Sequence, residues 1–143
     1  KKRNVEWEKI QDDKGEIYKT WRANRQQAKL IIDTLPDLTS ALNEFDRNLN
    51  LIFEETQKQN LKMILVNQSA LYKDSMSAYE SSLLWMGGIG NFQKKNNCNY
   101  YSVKVLHDAL ELYNQHLQNF CAGRANVKLV DIATQLPRDT SVF

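Results

Sequence analysis

Apolar positions in this chain recur at alternating spacings of three and four, and the rows they form predict helices. The first row runs Trp7, Ile10, Ile17, Trp21, Ala28, Ile31 and Leu35, with polar Lys14 and Asn24 completing a seven-residue repeat. Such a seam belongs to a helix packed at a shallow angle on a neighbour. Gly15 lowers its helical propensity by about 1 kcal/mol. Pro36 stops it, because the residue before a proline is pushed out of helical geometry. The expectation is a helix over about 3–34.

A second row starts at once: Leu38, Leu42, Phe45, Leu49, Ile52, Thr56, Gln59, Met63, Val66 and Ala70. Slipped by one position, it continues through Tyr72, Met76, Tyr79, Leu83 and Met86. No Gly or Pro interrupts residues 37–86. This pattern predicts one very long helix over about 38–86, continuous or kinked near 56–60, where Thr56 and Gln59 have the spacing of a capping box. A third row, Val103, Leu106, Leu110, Tyr113, Leu117 and Phe120, is flanked by Val105, Ala109 and Leu112. Apolar residues cover more than half of that helix, about 101–122, so it should be the most buried element. Gly123 suits its left-handed cap. A short last helix, about 126–136, is stopped by Pro137.

The expected fold class is therefore all-α: an elongated antiparallel bundle of three to five helices, with coiled-coil-like seams, forming a single domain over 1–143. Composition supports this picture. Five Gly and two Pro in 143 residues are few for an all-β chain that turns every ten residues or so. Hydrophobic residues at 42% and charged ones at 25% place the chain among ordinary globular proteins, long enough to bury a core without metal or disulfide staples.

Charge excludes more than it suggests. The net charge of +2 is no nucleic-acid footprint, and the only basic runs, Lys1-Lys2-Arg3 and Lys94-Lys95, lie at an end and in a loop. Residues 1–34 hold nine basic and six acidic side chains, whereas 35–90 hold four and seven, as in helices that pack on each other. No run of about 18 apolar residues spans a bilayer, so no direct membrane span is expected. The chain opens at Lys1 rather than Met, as a fragment or processed form would.

Cys98 and Cys121 are read as unpaired. A straight helix between them would hold them roughly 30 Å apart, whereas a disulfide needs Cα atoms within about 7 Å. Free thiols lean toward a reducing intracellular compartment. The triplet Asn67-Gln68-Ser69, a glycosylation sequon, leans the other way.

No catalytic constellation emerges. His107 and His116 are nine residues apart and point to different helix faces. His107 with Glu111 is half a metal site with no third ligand in view, so it reads as a solvated ion pair, and His116 as a boundary side chain. The neighbours Asp12-Asp13 and Glu54-Glu55 splay around a helix instead of converging. Gly88-Ile89-Gly90 has the G-x-G of a dinucleotide loop but follows a helix and lacks a third glycine. No cofactor and no metal is implied.

The expected function is a non-enzymatic helical protein–protein interaction module, binding another protein or a second copy of itself. It would act through long helix faces and the 85–100 loop, with Trp85, Ile89 and Phe92 as the partner-binding residues. If these three are buried the loop is a plug; if exposed, a contact patch. The alternative is a helical ligand-binding or sensory domain of an exported or receptor protein, with a pocket lined by aromatics such as Trp21, Tyr79 and Tyr113.

Overall fold

A computed structural model describes residues 2–142, with side chains described from Asp12 onward. Helices and short strands alternate along it. They are α1 (Lys2–Gln26), β1 (Leu30–Ile32), α2 (Thr39–Lys58), β2 (Met63–Val66), α3 (Ala78–Ser82), β3 (Asn99–Tyr101), α4 (Val103–Cys121) and β4 (Val127–Val130). β1 pairs in parallel with β3, from Leu30 opposite Asn99 to Ile32 opposite Tyr101. β2 pairs in parallel with β4, from Met63 opposite Val127 to Val66 opposite Val130. The protein is thus mixed α/β. The expected all-α bundle is overturned.

The expected 38–86 helix ends at Lys58. Asn60 takes a left-handed backbone, φ 53°, a conformation that Asn tolerates better than most residues. The amides of Asn60 and Leu61 close the turn on the carbonyls of Gln57 and Thr56. Thr56 does not start a helix either: its hydroxyl donates back to the Phe53 carbonyl at 2.7 Å. "MILV" then runs extended, with Met63 buried, Leu65 half-buried, and Ile64 and Val66 exposed. Met63, Val66 and Ala70 fit a helical spacing by coincidence, because a four-residue apolar run cannot distinguish the two periods.

Two further corrections share that cause. α1 stops at Gln26, ten residues before Pro36, and Leu30–Ile32 is a strand. The expected 126–136 helix is instead β4, whose Val-Lys-Leu-Val alternates buried, exposed, half-buried, exposed. The third row lies on α4, followed by Gly123 at φ 75°, the left-handed geometry that glycine adopts without strain. The helix that does carry a capping box is α3. The Ser77 hydroxyl accepts from the Glu80 amide at 3.1 Å, and the Glu80 carboxylate accepts from the Ser77 amide at 2.7 Å.

The chain divides into two compact units. One holds residues 1–33 and 75–102, the other residues 34–74 and 103–143. In the second, α2 leads into β2 and α4 into β4, and parallel pairing sets these two helix–strand pieces side by side. Leu49 of α2, Met63 of β2, Leu117 and Phe120 of α4 and Val127 of β4 form its buried cluster. Phe53 meets Phe120 edge to face at 6.0 Å between ring centres. Fully burying each of these side chains contributes about 1.5–3 kcal/mol.

The first unit is built differently. Tyr100 of β3 is fully buried, with Phe92 edge-on at 5.8 Å and the Arg25 guanidinium over its ring at 5.4 Å. Polar side chains of α1 reach across to backbone carbonyls. Arg25 donates to Met86 at 2.6 Å and to Tyr101 at 3.0 Å, Arg22 to Leu83 at 3.1 Å, and Asn24 to Phe92 at 3.2 Å.

Candidate ligand-binding site

The second unit holds an apolar cavity of about 360 Å3 between α2, α4 and β2. Phe45 and Leu49 come from α2, one helical turn apart. Leu110, Tyr113 and Leu117 come from the apolar row of α4, and Leu65 and Val66 from β2. Phe45 and Tyr113 meet edge to face at 5.2 Å, a favoured arrangement for aromatic pairs. Its volume falls in the range of small-molecule sites, which are mostly apolar with a few placed polar groups.

Those polar groups are Gln68 and Asn114. Asn114 is buried, and its amide grips the backbone of Gln68 from both sides. Its oxygen accepts from the Gln68 N–H at 3.0 Å, and its nitrogen donates to the Gln68 carbonyl at 2.9 Å. This clasp fixes the chain as it leaves β2.

Next to it a second buried amide ties together the carboxyl ends of both strands, where ligands commonly bind in parallel α/β sheets. Asn67 donates to the Asp131 carboxylate at 2.6 Å and accepts from the Ala133 amide at 2.9 Å. Asp131 also accepts from the Thr134 hydroxyl at 2.7 Å. The bonds from Thr134 and then Asn67 hold its carboxyl below the usual carboxylate range. Asn67, Asn114, Asp131, Glu111 and Thr134 line a smaller polar pocket of about 250 Å3. The sequon is thereby explained: Asn67 is buried, with both ends of its amide engaged, and is no surface acceptor for a glycan.

Comparison with protein families, with curated proteins and with solved structures finds no match.

Of the sequence-predicted partner residues, the structure turns two inward. Trp85 is half-buried, with ring centres 4.9 Å from Trp21 and 5.2 Å from Tyr18. Phe92 is half-buried on Tyr100 and presses on Gly88, where a Cβ would sit 2.3 Å from the Phe92 ring. Ile89 is 39% exposed. The segment docks on β3, with the Ile89 amide donating to the Asn99 carbonyl and the Tyr101 amide to that of Gly87, both at 2.9 Å. The glycine loop is therefore mostly a plug: Gly87 and Gly90 supply left-handed turns, and Gly88 a close approach. Among the aromatics offered for a pocket, Tyr113 lines the cavity, Trp21 lies in the ring cluster of the first unit, and Tyr79 is exposed.

Both cysteines are free thiols, and burial pushes the Cys121 thiol up. His107 approaches Asp108 at 3.4 Å and Glu111 at 3.7 Å, while Glu111 is bonded by Arg138 at 2.7 Å. Among the described residues no three His, Cys, Asp or Glu side chains converge for a metal, and no helix is long and apolar enough to cross a membrane. Sequence reasoning missed the partner of His116: Asp46 of α2 lies 2.8 Å from its Nδ1. The two are seventy positions apart, so no local pattern signals the pair.

Proposed function

We propose that the second unit is a binding module for a small, largely apolar molecule, held in the cavity between α2, α4 and β2. The observation that carries this reading is the cavity itself: about 360 Å3, walled by aliphatic and aromatic side chains and edged by the Asn114–Gln68 clasp. A flexible hydrocarbon chain suits it. Each buried methylene contributes about 0.8 kcal/mol, so eight supply about 6 kcal/mol before the cost of association, which caps the affinity at roughly tens of micromolar and leaves it nearer millimolar.

The test is a titration with 1-octanol followed by methyl NMR. Saturable shifts confined to the lining residues Leu49, Leu65, Val66, Leu110 and Leu117 are expected, and L110W, which fills the space, should abolish them. Shifts that fail to saturate, or that survive in L110W, would sink the reading.

A second reading, protein association, rests on the outer face of the β2–β4 pair. Ile64 is 66% exposed and Val130 39%, whereas parallel sheets are ordinarily covered on both faces. The expected interaction surface then shifts from long helix faces and the 85–100 loop to this strand pair. Sedimentation velocity over a concentration series is the check. Association that I64K removes would support self-pairing, and a monomer at high concentration would leave only other proteins as partners.

A further inference from the structure

A second cavity of the same unit, of about 310 Å3, lies outside the apolar one and has a different chemistry. Asp46 and Asn50 line it from α2, one turn apart, and His116, Asn119, Phe120 and Arg124 from α4 and the turn after it. His116 Nδ1 lies 2.8 Å from an Asp46 oxygen. A carboxylate only accepts, so this bond places a proton on Nδ1 and leaves Nε2 as the imidazole's other polar edge. Among the described residues no hydrogen bond engages Nε2.

Arg124 is held rigidly. Its guanidinium stacks on Phe120 at 4.1 Å and lies 5.4 Å from the Phe53 ring. It donates to the Phe120 carbonyl, and to the Asn50 side-chain oxygen at 3.3 Å. Two of its five N–H groups are thus occupied. Among the described residues no carboxylate pairs with it. The Asp46 carboxylate is taken by the His116 Nδ1–H, which leaves Arg124 as the charged donor lining this cavity.

We propose that this cavity is an anion site for a phosphate group, free or carried as a monoester. The guanidinium fork takes two phosphate oxygens. His116 Nε2, the free edge of a ring whose Nδ1–H is given to Asp46, bonds the third by accepting from a P–OH hydrogen. The amide of Asn119, exposed at the rim, is a further donor. A phosphate, free or as a monoester, offers at least three terminal oxygens against a carboxylate's two, and a fork plus an imidazole requires three.

The experiment uses the full chain and follows the Arg124 Nε–H and His116 imidazole resonances by NMR. Inorganic phosphate, phenyl phosphate, benzoate and sodium chloride are compared at matched ionic strength. Saturable shifts with both phosphates are expected, with benzoate at least tenfold weaker. Arg124→Gln should weaken phosphate binding at least tenfold. Because Arg124 also packs on Phe120, a second variant guards against misfolding: His116→Gln can still bond Asp46 and should weaken binding at least threefold. Shifts that chloride reproduces would overturn the site. Equal affinity for benzoate would overturn the phosphate assignment, and wild-type affinity in a folded variant would overturn the residue roles.

Discussion

The two units each place a parallel strand pair against helices, but they hold it by opposite means. In the second, aliphatic and aromatic side chains of α2 and α4 cover β2 and β4, and the buried cluster is entirely apolar. In the first, α1 contributes Arg22, Asn24 and Arg25, whose side chains bond to the carbonyls of Leu83, Met86, Phe92 and Tyr101. The segment from Leu83 to Tyr101 contains little regular structure, so many of its carbonyls lack a helix or sheet partner and take donors from side chains instead. An apolar core tolerates substitution by another shape of similar volume. A set of directed bonds does not, because each lost donor strands a specific oxygen.

The largest effect should come from the apolar side of this contrast. Phe120→Ala removes a ring that meets Phe53, Leu117 and Arg124, at a cost of about 3–5 kcal/mol. The urea midpoint should fall, and amide exchange should rise first in β2 and β4. Arg25→Met keeps bulk but takes two charge-assisted bonds from the Met86 and Tyr101 carbonyls, at about 3 kcal/mol. Hydrogen exchange at the Ile89 and Tyr101 amides would report it. A loss under 1 kcal/mol would break the contrast, since the first unit would then rest on packing after all.

Asn67→Ala tests a polar tie inside the apolar unit. It leaves the buried Ala133 amide without its acceptor and should cost about 2 kcal/mol. It also changes acid sensitivity. The Asp131 carboxyl is held below its ordinary value of 3.8, by Thr134 first and Asn67 second. A depressed folded-state value means that its contribution is present above pH 3.8 and is lost as pH falls below it. Removing Asn67 should shrink that acid-side loss, measured as urea midpoints between pH 5 and pH 2. The smallest effect has the opposite sign. Among the described residues the buried Tyr100 hydroxyl has no hydrogen-bond partner, and burial pushes its pKa up. Tyr100→Phe should be neutral or stabilise by up to about 1 kcal/mol, visible as a raised melting temperature.

Legibility in the sequence tracked element length. The row from Val103 to Phe120 covers five turns, and α4 lies on it. The row from Leu38 to Gln59 likewise falls mostly on α2. From Gln59 to Ala70 the same spacing persisted without a helix beneath it, because Met63–Val66 is too short to show period two. Leu30–Ile32 and Val127–Val130 failed for the same reason. The cavity was half visible: Tyr113, Phe45, Leu49 and Leu117 sat on predicted seams, but a seam does not reveal whether its partner leaves a gap. The loop residues Trp85 and Phe92 were visible as apolar, and their inward packing was not.

By itself the sequence determined the start and amphipathic face of α2, the helix α4 and the left-handed stop at Gly123. These are properties of neighbours within four residues, where backbone geometry dictates which side chains share a face. Only the tertiary structure decided the strands, their parallel pairing, the fate of the glycine loop and the pairing of His116 with Asp46. Each of those depends on residues tens of positions away in the chain, brought together by burial and hydrogen bonding that no local period encodes.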